Sequence, residues 1–171
     1  MSVHVDGARI FNAAVATGST VADLTKNVDT VSFCLSKGLS APSGSLLCGD
    51  KNFIHRARFN RKALGGGMRQ AGILAAAGIV AIDIMSEKII EDHLNAKALA
   101  GGIAKIDGII IETEKINTNI IYFKLDHPKV NSELLLETMG KKNIRFFELG
   151  PNWFRLVTHS GISKENIDYV I

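Results

Sequence analysis

Short strand-like runs alternate with helical patterns over the first part of the chain, and this alternation limits the folds that it can adopt. The strand-like runs are Val3–Gly7, Thr30–Leu35 and Ser45–Cys48. Helical patterns occupy residues 8–16, a short stretch opened by Thr20, residues 51–64 and residues 70–104, with an interruption expected near Ser86. Strands that alternate with helices predict a parallel sheet of the α/β class.

The pattern changes after Gly108, where strands follow one another with fewer helices. Strands are predicted over 109–111, 118–125, 145–149 and 153–158, and helices over 132–141 and from Lys164 onward. This order is typical of a small α+β domain. We therefore predict two domains, residues 1–108 with a mostly parallel sheet and residues 109–171 with an α+β fold.

The stretch Ala71–Ile82 is apolar on every side, so a helix formed by it needs cover all round. It is too short to span a bilayer, which takes about 20 residues. We interpret it as a buried core helix, and leave open that the atoms that cover it lie outside this chain.

Charge and cysteine content narrow the possible partners and the compartment. The net charge is only +3, and the basic helix carrying Arg56, Arg58 and Arg61 matches no known DNA- or RNA-binding motif, so we predict no nucleic-acid partner. Cys34 and Cys48 lie in apolar runs, which favours reduced thiols and a cytoplasmic protein without a secretory signal. No zinc-ligand spacing is present, and we predict no metal site and no membrane association.

Asp6 lies at the end of one strand-like run and Lys37 follows another, and each is followed by glycine. A lysine at such a strand end can offer its amine to an aldehyde cofactor, and a carboxylate on a nearby strand end can hold a pyridinium nitrogen protonated. This combination indicates a site for pyridoxal 5'-phosphate. Taken alone, each residue has an ordinary alternative, since Asp-Gly often forms a turn and most lysines are exposed.

Several segments resemble the threonine aldolases, members of the aspartate aminotransferase-like fold of pyridoxal phosphate enzymes. The similar segments are residues 4–14, 33–44 and 61–70, and the resemblance extends over almost the whole chain. It implies that Lys37 forms the imine with the cofactor and that Asp6 faces the pyridine nitrogen. It also implies that Arg9 and Arg155 bind the substrate carboxylate, and that Arg69, with the adjacent glycines 65–67, contributes to phosphate binding or to a subunit interface.

The resemblance further implies a lyase that cleaves L-threonine or L-allo-threonine to glycine and acetaldehyde, acting in amino-acid metabolism. The chain corresponds to the carboxyl-terminal half of such an enzyme, so we expect the isolated chain to be inactive and the complete protein to be a homo-oligomer. Two alternatives remain open. One is a non-catalytic assembly or binding fragment of the same fold, and the other is a related β-eliminating lyase or aminotransferase.

Overall fold

A computed structural model of the protein describes all of residues 1–171, which divide into two compact units, Met1–Ile89 and Ile90–Ile171. The division falls inside a long helix, ahead of the domain boundary at residues 108 and 109 that the sequence predicts. Both divisions leave the three strands of one sheet on one side and the four strands of another sheet on the other. The domain boundary itself stays a prediction.

The first unit contains a three-stranded sheet in the order β1-β2-β3 and four helices ahead of the long one. Its strands are β1 (His4–Asp6), β2 (Thr30–Cys34) and β3 (Ser45–Cys48). Its helices are α1 (Ile10–Thr17), α2 (Val21–Thr25), α3 (Lys51–Ala63) and α4 (Gly72–Val80), followed by a π-helical turn (Ala81–Met85) and the start of α5 (Ser86–Ile103).

The α/β class is confirmed, but one strand pairing differs from the parallel sheet that the sequence predicts. Strands β1 and β2 are parallel, with Asp6 opposite Ser32, whereas β2 and β3 are antiparallel. The connection 35–44 explains the difference, because a parallel crossover takes about a dozen residues or more. The chain therefore turns back on itself immediately after Lys37.

Local sequence signals set the helix boundaries of this unit. The Thr20 side chain accepts a hydrogen bond from the Asp23 amide, and the Asp23 carboxylate accepts one from the Thr20 amide. These two bonds form the capping box that opens α2. Asp50 caps α3 through the Phe53 amide at 2.9 Å. Helix α1 ends at Gly18, which takes the left-handed conformation.

The core of the first unit is small and lies on one face of its sheet. Phe33 of β2 packs edge-on against Phe11 of α1, with 5.4 Å between ring centroids. The other buried apolar residues of this core are Ile10, Leu35, Leu39, Ala41, Ala81 and Ile89. Residues from α1, β2, the connection that follows β2 and the long helical region therefore share one core.

Helix α4 is mostly exposed, so this chain alone does not bury it as a core helix, and the possibility that its cover lies outside the chain stays open. Ile73 is 80% exposed and Ile79 is 61% exposed, while Gly78 alone within α4 is buried. A Cβ atom on Gly78 would lie 3.1 Å from Leu35 Cδ1, so only this face of the helix packs closely on the unit. The remaining faces are apolar and have no cover within the unit.

The second unit holds an antiparallel sheet in the order β4-β5-β7-β6. Its strands are β4 (Ile109–Ile110), β5 (Ile120–Leu125), β6 (Phe147–Gly150) and β7 (Trp153–Val157). Besides the end of α5 it contains a 3-10 turn (Thr113–Lys115), α6 (Ser132–Lys141) and α7 (Lys164–Val170). Asn131 and Ser163 cap α6 and α7 through backbone amides, as expected from their side chains.

The core of this second unit is larger and rich in aromatic residues. Phe123 and Phe154 stack with ring centroids 5.0 Å apart, and Phe146 lies edge-on to Phe154 at 5.6 Å. Residues of α5, β5 and α7 complete this core. Helices pack against one face of the antiparallel sheet, which is the usual arrangement of an α+β domain.

No helix is long and apolar enough to cross a membrane. Both cysteines are free thiols, Cys34 half-buried and Cys48 exposed. No group of three or more histidine, cysteine or carboxylate side chains is placed to hold a metal ion.

Candidate functional site

Asp6, Arg9 and Lys37 line one cavity of about 470 Å³ in the first unit. Its volume lies within the range of small-molecule sites, roughly 300–1,000 Å³. The walls are otherwise backbone and apolar side chains: Val5, Gly7, Ala8, Ile10, Ala13 and Leu24. The structure therefore brings together three of the five side chains that the sequence singles out.

The Asp6 carboxylate lies at the carboxyl end of β1, where the chain leaves the sheet for α1. Its Oδ1 atom accepts a hydrogen bond from the Ala8 amide at 3.2 Å, which orients the side chain. The Gly7 amide donates to the Ser32 carbonyl at 2.7 Å, so β1 stays paired with β2 up to the turn. A Cβ on Gly7 would lie 3.2 Å from that carbonyl, which makes glycine the best-fitting residue here.

Lys37 follows β2 in a turn that is held by backbone hydrogen bonds. The Ser40 amide donates to the Lys37 carbonyl and the Ala41 amide donates to the Leu35 carbonyl, each at 2.9 Å. Leu39 is 2% exposed and anchors the turn in the core. Lys37 itself is exposed in this chain. The apolar residues of β2 therefore do not remove the Lys37 amine from solvent within this unit.

Arg9 is the residue that precedes α1, and it is half-buried. Its position at the start of the helix places its side chain on the same cavity as Asp6 and Lys37. A guanidinium group in such a cavity suits a carboxylate or a phosphate, because its planar donors match the oxygens of these anions.

Arg69 is not brought to this cavity, and the glycines before it are partly committed elsewhere. Arg69 is exposed. The Gly65 amide donates to the Lys62 carbonyl at 3.1 Å and the Gly66 amide to the Arg61 carbonyl at 2.8 Å. Two of the three amides considered for phosphate binding are therefore already used to end α3, and Gly65 takes a left-handed conformation (φ 83°). The role of Arg69 stays a prediction.

Arg155 lies on β7 in the second unit, opposite Tyr122 of β5 and Phe147 of β6. The sequence suggests that an arginine alternating with buried residues on this strand faces solvent. In the structure it is half-buried, and its Nε atom is buried without a hydrogen-bond partner. A buried unpaired donor costs about 1–3 kcal/mol, so this group is placed to gain from an anionic ligand.

Two sets of polar residues are buried although the sequence does not indicate it. Asn12 of α1 is 2% exposed, and its Oδ1 would lie 2.5 Å from a Cβ on Gly38, directly after Lys37. In the second unit, Asn119 and Thr158 are buried, with the Asn119 amide donating to the Thr158 carbonyl at 2.7 Å. Asn12 lies inside a segment that resembles the aldolases, but nothing in its local pattern indicates burial.

Two histidines of the chain lie in different environments. His93 of α5 is 4% exposed, and burial lowers its pKa, with the charge of Lys97 adding to the effect. His4 is exposed, and its Nδ1 atom lies 2.8 Å from the Thr30 hydroxyl on the neighbouring strand. Neither lines the cavity of Asp6, Arg9 and Lys37.

The chain is similar to several known proteins along its whole length. It is 38% identical over 100% of its length to low-specificity L-threonine aldolase 1 of Arabidopsis thaliana, and 41% identical over 98% of its length to the low specificity L-threonine aldolase of Escherichia coli K12. It spans about half of these relatives, 48% of each. The solved structure of Leishmania major threonine aldolase matches its fold with a TM-score of 0.75 at 16% identity, covering 99% of this chain and 50% of that one.

The segments that carry Asp6, Arg9 and Lys37 lie inside the range matched by a family profile. The profile described as β-eliminating lyase matches residues 1–126, which includes the whole first unit and part of the second. The chain therefore belongs to the β-eliminating lyase family.

Proposed function

We propose that the protein is a pyridoxal phosphate dependent lyase that cleaves L-threonine or L-allo-threonine to glycine and acetaldehyde. The observation that carries this proposal is the common cavity of Asp6, Arg9 and Lys37 at the end of β1 and in the turn after β2. The names of the aldolase relatives support the choice of substrate, and membership of a lyase family supports the class of reaction.

The residues present fit the cofactor. A primary amine and a carboxylate on one cavity of suitable volume are the two groups that this aldehyde-bearing pyridine requires from a protein. When bound, pyridoxal phosphate supplies an electron sink for the substrate carbon. Lys37 would hold the cofactor through its amine, and Asp6 would pair with the ring nitrogen and keep it protonated. The Ala8 amide fixes the Asp6 carboxylate for this role.

Substrate binding is assigned to the two arginines. Arg9 presents its guanidinium to the cavity, and Arg155 has a buried Nε atom that a carboxylate oxygen can pair. Holding the carboxylate restricts rotation of the amino acid, and correct orientation of reacting groups is worth up to roughly 7–11 kcal/mol in favourable cases. Arg69 is proposed to contribute to phosphate binding or to a subunit interface in the complete protein.

Reduction with borohydride tests the cofactor site. In the intact protein we expect borohydride to fix pyridoxal phosphate to the peptide that contains Lys37, as detected by mass spectrometry. The Lys37→Ala variant should lose the modification, while Lys26→Ala, which changes an exposed lysine outside the cavity, should keep it. Modification of Lys26 or Lys51 in place of Lys37 would show that the wrong residue is assigned.

A second candidate reaction is supported by the description of the matching family. A β-eliminating lyase would split an aromatic amino acid into pyruvate, ammonia and the free aromatic group, whereas the aldolase releases glycine and an aldehyde. Incubating the intact protein with L-threonine, L-allo-threonine and aromatic amino acids, and identifying the products, separates the two. Pyruvate as the main product would rule out the aldolase proposal.

We also propose a homo-oligomeric, cytoplasmic protein with a small amino-acid substrate. The support for oligomerisation is the exposed apolar surface of the first unit, where Leu64 is 88%, Met68 64% and Ile73 80% exposed. Large exposed apolar patches are uncommon on monomers. Sedimentation of the intact protein should give a mass of at least two chains, and a monomer without apolar surface accessible to dyes would contradict this.

A further inference from the structure

We propose that Asn12 is a positioning residue that fixes the turn carrying Lys37. This inference rests on the function proposed above for Lys37, and it assigns the amide of Asn12 to no chemical step. Asn12 does not line the cavity, but it lies on α1 between two residues that do, Ile10 and Ala13.

The first observation is the burial of Asn12 beside the turn. An asparagine side chain is seldom buried, because its amide loses hydration. Asn12 is nevertheless 2% exposed, and its side chain occupies the space next to Gly38: a Cβ there would be 2.5 Å from Oδ1 and 3.4 Å from both Cγ and Nδ2. A methyl group at residue 38 cannot be accommodated unless Asn12 moves. Asn12 and Gly38 are thus in direct contact.

The second observation is that the rest of the turn is held from other directions. Leu39 is 2% exposed and anchors the turn from the core, and the Leu35 amide donates to the Gly44 carbonyl at 2.9 Å across its base. These contacts leave the side of the turn at Gly38 to be fixed by α1. Asn12 is the α1 side chain found there.

The consequence concerns the relative position of Arg9 and Lys37. Arg9 directly precedes α1 and Lys37 begins the turn, so the contact between Asn12 and Gly38 joins the helix that follows Arg9 to the turn that carries Lys37. Reacting groups that are misplaced by about 1 Å can lose up to a hundredfold in rate. A change at Asn12 should therefore slow chemistry at Lys37 without removing any group from the cavity.

A double-mutant cycle in the intact protein tests this. Gly38 lies outside the left-handed region, so Gly38→Ala probes the contact with Asn12 and adds no backbone strain. We expect Asn12→Ala and Gly38→Ala each to slow covalent attachment of pyridoxal phosphate at Lys37 by about tenfold or more. The double variant should be no slower than Asn12→Ala, because removing the amide makes room for the methyl group.

A second measurement needs no cofactor. Acetic anhydride labelling of the cofactor-free protein over a range of pH, read by mass spectrometry, compares Lys37 with the internal standards Lys26 and Lys51. In Asn12→Ala and Gly38→Ala, the pH profile of labelling at Lys37 should differ from that of the unchanged protein, while the profiles at Lys26 and Lys51 should stay the same. Gly72→Ala, with nothing within 4 Å of the added methyl, and Asn60→Ala, which alters an exposed asparagine of α3, should leave both measurements unchanged.

Four outcomes decide between the explanations. Normal attachment and normal labelling in Asn12→Ala, with only a lower melting temperature, would overturn the positioning role, as would strictly additive effects in the double variant. If Asn12→Ala does not fold, normal behaviour of Gly38→Ala would overturn it as well. Covalent uptake of the cofactor by Lys37→Ala would instead show that the proposed function of Lys37 is wrong.

Discussion

The two units of the molecule differ in how much of their apolar surface they bury. The second unit surrounds Phe154, Ile121 and Ala96 completely, each 0% exposed, and its helices cover one face of a four-stranded sheet. The first unit has a three-stranded sheet and leaves most of α4 exposed. Yet the cavity of Asp6, Arg9 and Lys37 lies in the first unit. The proposed chemistry is therefore located in the part of the chain that is least able to exclude water by itself.

The largest expected effect concerns the activity of a polypeptide of these 171 residues expressed by itself. We expect its turnover of L-threonine and L-allo-threonine, in excess pyridoxal phosphate, to fall far below about 1 per second, a rate within the ordinary range of enzymes. The reason is the uncovered apolar surface around the cavity-bearing unit. Turnover of about 1 per second or more would show that this unit needs no further cover. The difference in buried apolar surface between the two units would then have no consequence for activity.

The next effect compares the stability of the two units directly. Phe154→Ala removes a fully buried ring, and we expect it to lower the free energy of unfolding by about 3–5 kcal/mol. Ile73→Ala on α4 removes a side chain that is 80% exposed, and should change stability by less than about 0.5 kcal/mol in the isolated chain. Chemical denaturation measures both. Equal losses would mean that α4 is covered in solution.

Arg155 tests whether the second unit contributes to substrate binding. Arg155→Lys keeps the charge but loses the planar pair of donors, and we expect KM for the amino acid to rise by about tenfold in the intact protein. Arg145→Lys, at an exposed arginine of the same unit, is the matched control and should leave KM unchanged. An unaltered KM in Arg155→Lys would remove Arg155 from the proposed site.

The smallest expected effect is a pH dependence of the second unit. Burial raises the pKa of the Asp92 carboxyl above its ordinary value of 3.8, the charge of His159 opposes this rise and that of Glu91 adds to it. A raised pKa in the folded state stabilises the fold below the ordinary pKa and loses that contribution as pH rises through the raised value. Above the ordinary pKa, burial of the Asp92 carboxyl therefore opposes folding.

Thermal unfolding of Asp92→Asn checks this direction. Its melting temperature should exceed that of the unchanged protein near neutral pH, and the gain should shrink as the pH is lowered toward the ordinary pKa. Asp168→Asn, at an exposed aspartate of α7, should show no such trend. An increase in melting temperature that is the same at every pH would indicate that the substitution acts through packing and not through ionisation of Asp92.

Local signals account for the parts of the fold that the sequence predicts well. Strand β3 and helix α6 begin and end at the predicted residues, because their boundaries are set by caps and turns close in the chain. The Thr20 capping box is likewise a local pattern. The direction of a strand in the sheet depends less on local signals. The alternation of strands and helices predicts parallel strands, but the short connection 35–44 makes β3 antiparallel to β2.

Burial and side-chain proximity could not be predicted in the same way. The apolar composition of α4 predicts that the helix is buried, but composition does not say which residues bury it. The contact of Asn12 with Gly38 joins residues that are distant in the chain, and it depends on how α1 packs beside the turn. The sequence indicates Asp6, Arg9 and Lys37 one by one, whereas their common cavity follows only from the three-dimensional fold.

The position of the only tryptophan offers a built-in optical reporter. Trp153 is 49% exposed on β7, and it points to the same side of the sheet as Arg155 because the two are separated by one residue of the strand. Its emission comes from this strand and from nowhere else in the chain. Fluorescence titration with carboxylates can therefore follow events near Arg155 without an attached dye, and in the absence of any turnover.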